Sequence, residues 1–137
     1  VFGEKDYQQL LIIKSLVERQ GIKTTIVSVP TVRESDGLAM STRNNYLSSE
    51  DRGKAAIFYQ QLVATKAAIQ GGVEIPSATG QALDDLSAVF DVEFIEVLNA
   101  NNLTQITTSS SEIIIISAVK LGETRLIDNI VFRRPDV

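Results

Sequence analysis

Two short stretches of this chain hold the residue types that handle phosphate. Gly3-Glu4-Lys5-Asp6 sets a glycine and a lysine at the mouth of a patterned helix. Free backbone N–H groups and the positive dipole end gather there, and both attract anions. Further on, Met40-Ser41-Thr42-Arg43 offers two hydroxyls and a guanidinium within four residues. A guanidinium meets phosphate through a planar fork of donors. Arg33 adds a cation beside the same irregular segment. Lys5, Arg33 and Arg43 together point to a polyphosphate ligand. Plainer roles stay open for each: Asp6 and Gln9 as a helix cap, Lys5 and Arg33 as solvated charges, Ser41 and Thr42 as partners of loop backbone, Met40 as packing.

Other chemistries are excluded by composition. The chain has no His and no Cys. That removes Ser-His-Asp triads, thiol nucleophiles, disulfides and nearly all zinc sites. Asp84 and Asp85 are neighbours on a helix, diverge by about 100° and do not converge on a metal. Lys and Arg number 13 against 17 Asp and Glu, a net charge of −4, so there is no cationic field for nucleic acid or for anionic membrane. The longest apolar run, Ile113 to Ile116, suits a strand and is far too short to span a bilayer. No secretory signal is seen, and a cytoplasmic protein is expected. The chain opens at Val1 without an initiator Met and reads as a fragment.

The elements that must position these residues follow from periodicity. Leu10, Ile13, Leu16 and Val17 fall at helical spacing over Asp6 to Gln20, and Gly21 ends the helix. Thr24 to Val29 is short and β-branched, a strand closed by Pro30. Thr31 to Ser49 is about 19 polar residues with no sustained period, longer than the roughly 12–15 usual for an idle loop. Leu38, Ala39, Met40, Tyr46 and Leu47 predict that it packs. Ser48, with Asp51 three residues on, starts a helix to Gln70 that buries Ala56, Tyr59, Leu62, Val63 and Ala67. Gly71-Gly72 stops it. A shorter helix spans Ser77 to Ser87 with Ala82, Leu83 and Leu86. Strands follow at Val92–Leu98, Glu112–Val119 and Thr124–Phe132, the last two joined by a two-residue turn with Gly122 at positive φ. The fold class is α+β. Two helices and a three-stranded, mostly antiparallel sheet form a C-terminal unit. The last helix and strand of an α/β domain precede it.

The phrases VFGEKDYQQL, VPTVRESDGLAMSTRNNYLS and LGETRLIDNI strongly resemble the pantothenate synthetase (pantoate–β-alanine ligase) family. The resemblance implies an enzyme about twice this length. Its N-terminal part is a Rossmann-like nucleotide-binding domain, related to class I aminoacyl-tRNA synthetases, and a smaller C-terminal domain closes over the site. On that basis residues 1–31 end the Rossmann-like domain, 32–45 are hinge and phosphate-binding loop, and 46–137 are the C-terminal α+β domain. The implied reaction has two steps. Pantoate attacks the α-phosphorus of ATP, giving pantoyl adenylate and pyrophosphate. The amine of β-alanine then gives pantothenate and AMP. Mg²⁺ bridging the phosphates and a homodimeric full-length protein are implied as well.

By the same resemblance, Gly3, Glu4, Lys5 and Asp6 match the family's nucleotide-contacting GEKD. Gly3 admits the ribose, Asp6 accepts from its hydroxyls, and Lys5 neutralises phosphate. Gln9 matches a pantoate-binding Gln. Val32 matches a backbone contact to adenine. Met40, Ser41, Thr42 and Arg43 match the family's MSSR, the counterpart of the synthetases' KMSKS loop, and grip the triphosphate. Lys5, Ser41, Thr42 and Arg43 are the catalytic candidates. Thr42 departs from the usual second Ser and keeps a hydroxyl on a stiffer side chain; function is expected to survive with a modest change in ATP affinity. The family's His-containing HIGH-like motif and a further pantoate-binding Gln lie upstream of Val1, so these 137 residues alone are expected not to make pantothenate. Two other readings remain at this point: a non-catalytic α+β module binding a small anion or a partner chain, and a related nucleotidyltransferase with another acid substrate.

Overall fold

The computed structural model describes residues 2–21, 28–106 and 111–134. The side chains of Phe2, Asp6, Ile13, Ser15, Leu16, Ser28 and Val29 and the surroundings of Gly3 lie outside that description. The first elements are β1 (Phe2–Gly3), a 3-10 turn at Glu4–Asp6, α1 (Tyr7–Arg19) and β2 (Ser28–Val29). β1 and β2 pair in parallel, Phe2 with Ser28 and Gly3 with Val29. Parallel neighbours need a crossover, and α1 supplies it. This is the α/β unit expected at the start of the chain. The expected strand residues Thr24 to Val27 (numbers 24–27) lie outside the described residues, where the sequence reads Thr24, Thr25, Ile26 and Val27.

The irregular segment is folded tightly. Arg33 and Ala39 form an antiparallel bridge. Glu34 N donates to Leu38 O at 2.8 Å and Met40 N to Val32 O at 2.9 Å, so Val32–Met40 is a small hairpin. Its turn holds Gly37 at φ +95°, a conformation that side chains resist. A 3-10 turn follows at Thr42–Tyr46. Leu38 and Ala39 are buried, but Met40 is half exposed and Tyr46 is 83% exposed. The packing expected of those last two is corrected: the turn faces Tyr46 into solvent.

α2 (Ser49–Gln70) begins where the sequence places it, with Ser48 Oγ accepting from Asp51 N at 3.1 Å. It buries Ala55, Ala56, Phe58, Leu62, Thr65 and Ile69. The expected burial of Val63 and Ala67 is wrong, and Tyr59 is half-buried. Alanines on every side of this helix suit several rotations about its axis, and Phe58 with Leu62 decides which one packs. α3 (Ile75–Ser87) starts with Pro76 in its first turn. Ala82 and Leu86 are buried, whereas Leu83 is exposed.

β3 (Asp91–Asn99), β4 (Glu112–Leu121) and β5 (Thr124–Arg133) form one sheet in the order β3-β4-β5, antiparallel throughout. Leu121 pairs with Thr124 across Gly122 and Glu123, and Gly122 has φ +62°. β4 is the central strand, and Ile113, Ile114 and Ile115 are fully buried. α2 and α3 cover one face of the sheet, where Phe58, Leu62, Leu86, Ile113, Ile115 and Val119 belong to the core. Phe58 and Phe90 meet with ring centres 5.9 Å apart and planes tilted by 59°. The start of α1 lies against the other face.

Candidate functional site

The two phosphate-type stretches, distant in sequence, meet. Lys5 lies in the 3-10 turn that leads into α1, and its Nζ donates to the carbonyl of Met40 at 3.2 Å. Lys5, Ser41, Arg43 and Asn44 line one crevice with Arg125 and Asp128. It is narrow, about 10 Å³, space for one water at most. Asn44 Oδ1 is buried and has no hydrogen-bond partner among the described residues, although its Nδ2 donates to Ala39 O at 3.0 Å. A buried acceptor of this kind calls for a donor from water or ligand.

The Met40–Arg43 segment is shaped by its own hydroxyl. Ser41 Oγ accepts from Arg43 N at 3.2 Å and caps the 3-10 turn. Its O–H proton remains available to donate. The side chains of Thr42 and Arg43 are both exposed; Arg43 borders the crevice, and Thr42 is not among the residues that line it. Val32 is 60% exposed, and its carbonyl is taken by Met40 N. Gln9, one turn along α1 from Lys5, is exposed and borders a second cleft of about 220 Å³ that also touches Lys5, Arg125 and Ile127. Gly3 is placed by its backbone in β1, Glu4 and Asp6 in the turn after it. The candidate ribose contact through the Asp6 side chain lies outside the described residues.

Arg33 does not join this group. Its two terminal nitrogens reach Asp128 at 2.6 and 2.9 Å, and Nη1 also donates to Gly37 O at 3.1 Å. The guanidinium lies 3.9 Å over the Tyr59 ring. Burial alone lowers its pKa, but the hydrogen bonds and charge of Asp128, with Tyr59 nearby, raise it on balance. Asp128 is 2% exposed. Arg33 is thus a fastening of the hairpin to β5, and its place among phosphate-facing cations is withdrawn.

β5 also fastens the helix mouth. Asn129 Nδ2 donates to Glu4 O at 2.9 Å and to Lys5 O at 3.2 Å. Tyr7 Oη donates to Ala100 O at 2.9 Å. Burial, then the charges of Glu112 and Glu4, raise the Tyr7 pKa, so the phenol stays a donor. On the other side, Arg52 of α2 holds Asp36 at 2.7 and 3.2 Å and keeps its carboxylate below the usual range.

One side chain was not singled out by the sequence reading. Arg125, inside the LGETRLIDNI phrase, borders the crevice, the Gln9 cleft and a third hollow beside Arg43. The available signal was strand alternation, which puts Arg125 on the face that Ile127 and Asn129 share.

Known proteins resemble this chain in sequence and fold along nearly its whole length. Residues 1–131 match the family model described as Pantoate-beta-alanine ligase. The pantothenate synthetase of Vesicomyosocius okutanii is 46% identical over 136 residues, 99% of this chain and 48% of that protein. That of Stutzerimonas stutzeri is 42% identical over 132 residues, 95% of this chain and 46% of that protein. The crystal structure of pantothenate synthetase from Thermus thermophilus superposes with a TM-score of 0.86 at 37% identity, covering 94% of this chain and 48% of that one. A pantoate-beta-alanine ligase from Francisella tularensis, solved as a complex with beta-gamma ATP and beta-alanine, superposes at 0.64 and 28% identity, over 95% of this chain and 42% of that one. The chain spans about half the length of the relatives it matches. With the same sheet, the same helices and this level of identity over nearly every residue, the chain belongs to the pantoate-beta-alanine ligase family.

Proposed function

We propose that this chain is the C-terminal portion of an ATP-dependent ligase that condenses pantoate with β-alanine through a pantoyl adenylate, releasing pyrophosphate and then AMP. The observation that carries this reading is the meeting of Lys5 with the Met40–Arg43 segment at one crevice. In this proposal residues 1–31 end the nucleotide-binding domain, 32–45 form hinge and phosphate loop, and 46–137 form the closing domain. The longer protein is read as a cytoplasmic homodimer.

Both steps need charge and placement rather than a covalent intermediate on the protein. When the carboxylate oxygen attacks the α-phosphorus, negative charge builds on the pyrophosphate that leaves. Lys5 supplies the compensating positive charge. Ser41, Thr42 and Arg43 hold the outer phosphates, and Gly3, Glu4, Asp6, Val32 and Met40 frame the nucleoside. Gln9 orients pantoate one helical turn from Lys5. The unpaired Asn44 Oδ1 suits a hydroxyl donor on the ligand. The crevice is too narrow for a triphosphate as it stands, so binding requires Lys5 to exchange the Met40 carbonyl for phosphate oxygens. A phosphate oxygen is the stronger acceptor of the two, because it carries charge.

Among the described residues no three Asp, Glu, His or Cys side chains converge on a metal. Mg²⁺, implied by the family resemblance, would supply positive charge that offsets the phosphates beside Lys5 and Arg43. Among the same residues no helix is long and apolar enough to cross a membrane.

The test is pantoate-dependent exchange of pyrophosphate into ATP by the full-length protein. Lys5→Ala is expected to slow it about 100- to 1,000-fold, the usual cost of removing one preorganised charge-stabilising donor. An unchanged exchange rate refutes the assignment. The 137 residues alone are expected to release no AMP from ATP with both substrates present.

A further inference from the structure

We propose that Arg125 is a further phosphate-binding residue of this site, taking the terminal phosphates of ATP, and then pyrophosphate, together with Arg43. The proposal rests on the ligase reading above and extends it to a strand of the closing domain.

Place comes first. β5 packs against both 3-10 turns, the one bearing Lys5 and the one bearing Arg43. Arg125 is the one residue that borders all three adjoining spaces: the crevice with Lys5 and Ser41, the cleft with Gln9, and a hollow of about 580 Å³ beside Arg43 and Tyr46. Lys5, Arg125 and Arg43 are the cations of these spaces, with Arg125 shared by all three; Asp128, Asp51 and Glu123 border them too, and Asp128 is taken up by Arg33.

Availability comes second. Among the described residues the hydrogen-bond partner of Arg125 is Glu93, through Nε at 2.9 Å. The two terminal nitrogens remain for a forked contact with phosphate. Both side chains of that pair are well exposed, at 42% and 33%, and pairs of this kind add little stability.

Sheet energetics argue the same way. Arg125 stands directly opposite Lys120 on β4, and like charges at opposed positions destabilise a sheet. Asp91 of β3, on the other side of Lys120, offsets part of that repulsion, and an anion at Arg125 would offset more. The competing structural role is a clip on the irregular stretch of β3, since Glu93 sits where the β3–β4 register shifts.

The experiment uses the full-length protein with ATP and inorganic pyrophosphate as probes. Arg125→Met is expected to raise the KM for ATP and the inhibition constant of pyrophosphate roughly 10- to 100-fold, the range for a lost charged hydrogen bond. The KM for β-alanine should hold. Arg125→Lys, which keeps the charge and loses the fork, should raise the pyrophosphate constant several-fold, and it decides the matter if the Met variant does not fold. Glu93→Gln breaks the ion pair and keeps the cation, so pyrophosphate should bind as tightly or more tightly. Arg125 variants with unchanged pyrophosphate inhibition overturn the proposal. So does a Glu93→Gln variant as impaired as Arg125→Met, because that marks a clip. If Lys5→Ala also leaves pyrophosphate exchange intact, the ligase reading itself has failed.

Discussion

Arg33 and Asp128 show how strongly one partner decides what a charged residue does. In isolation Arg33 is one more cation beside a polar loop. Paired with a carboxylate that is 2% exposed, and stacked on Tyr59, it becomes a fastening. Asp128→Asn leaves this guanidinium without its counter-charge, and breaking a buried pair from one side is costly. The expected loss is about 3 kcal/mol, toward the low end for such pairs because Arg33 keeps a fifth of its side-chain surface in water. Urea unfolding measures it, and a midpoint equal to wild type refutes the role. Lys5 differs in kind. It donates to a neutral carbonyl, that of Met40, which a phosphate oxygen can replace.

At the level of elements, the hairpin Val32–Met40 hangs on Gly37. A Cβ there would overlap Tyr59 Cδ2, and φ is +95°. Gly37→Ala therefore combines backbone strain with a displaced ring beneath Arg33 and is expected to cost about 2 kcal/mol. Thermal melting reads it; a Tm unchanged within error counts against the account. Elements of this chain were legible in the sequence where the signal was local. Ser48 with Asp51, and Gly122 in its two-residue turn, each act within a few residues. The β-branched strands β4 and β5 were equally plain. The facing of α2 was not, because small residues on all sides left its phase to Phe58 and Leu62. Nor was the fate of Arg33, whose partner stands 95 positions away. Of the candidate site, the meeting of Lys5 with Met40–Arg43 was legible through motif likeness. The part of Arg125 was hidden in a strand that reads as ordinary alternation.

Across the whole molecule, β5 is the part that both halves hold on to. Asn129 binds the backbone that carries Lys5, and Asp128 binds the hairpin that leads to Arg43. Asn129→Ala removes donors from two carbonyls and is expected to cost about 1–2 kcal/mol. In the full-length protein it should also raise the KM for ATP, since the turn bearing Lys5 loses its support. An Asn129→Ala variant with both quantities unaltered would show the contact to be incidental. Because these two residues are consecutive, the pleat sends them to opposite sides of the sheet. Sliding β5 one step along β4 sets either Asn129 before the guanidinium and Ile130 before the two carbonyls, or Ile127 before the guanidinium and Asp128 before the two carbonyls, acceptor against acceptor. The joint thus proofreads the threading of the final strand: a misaligned hairpin forfeits both grips at once.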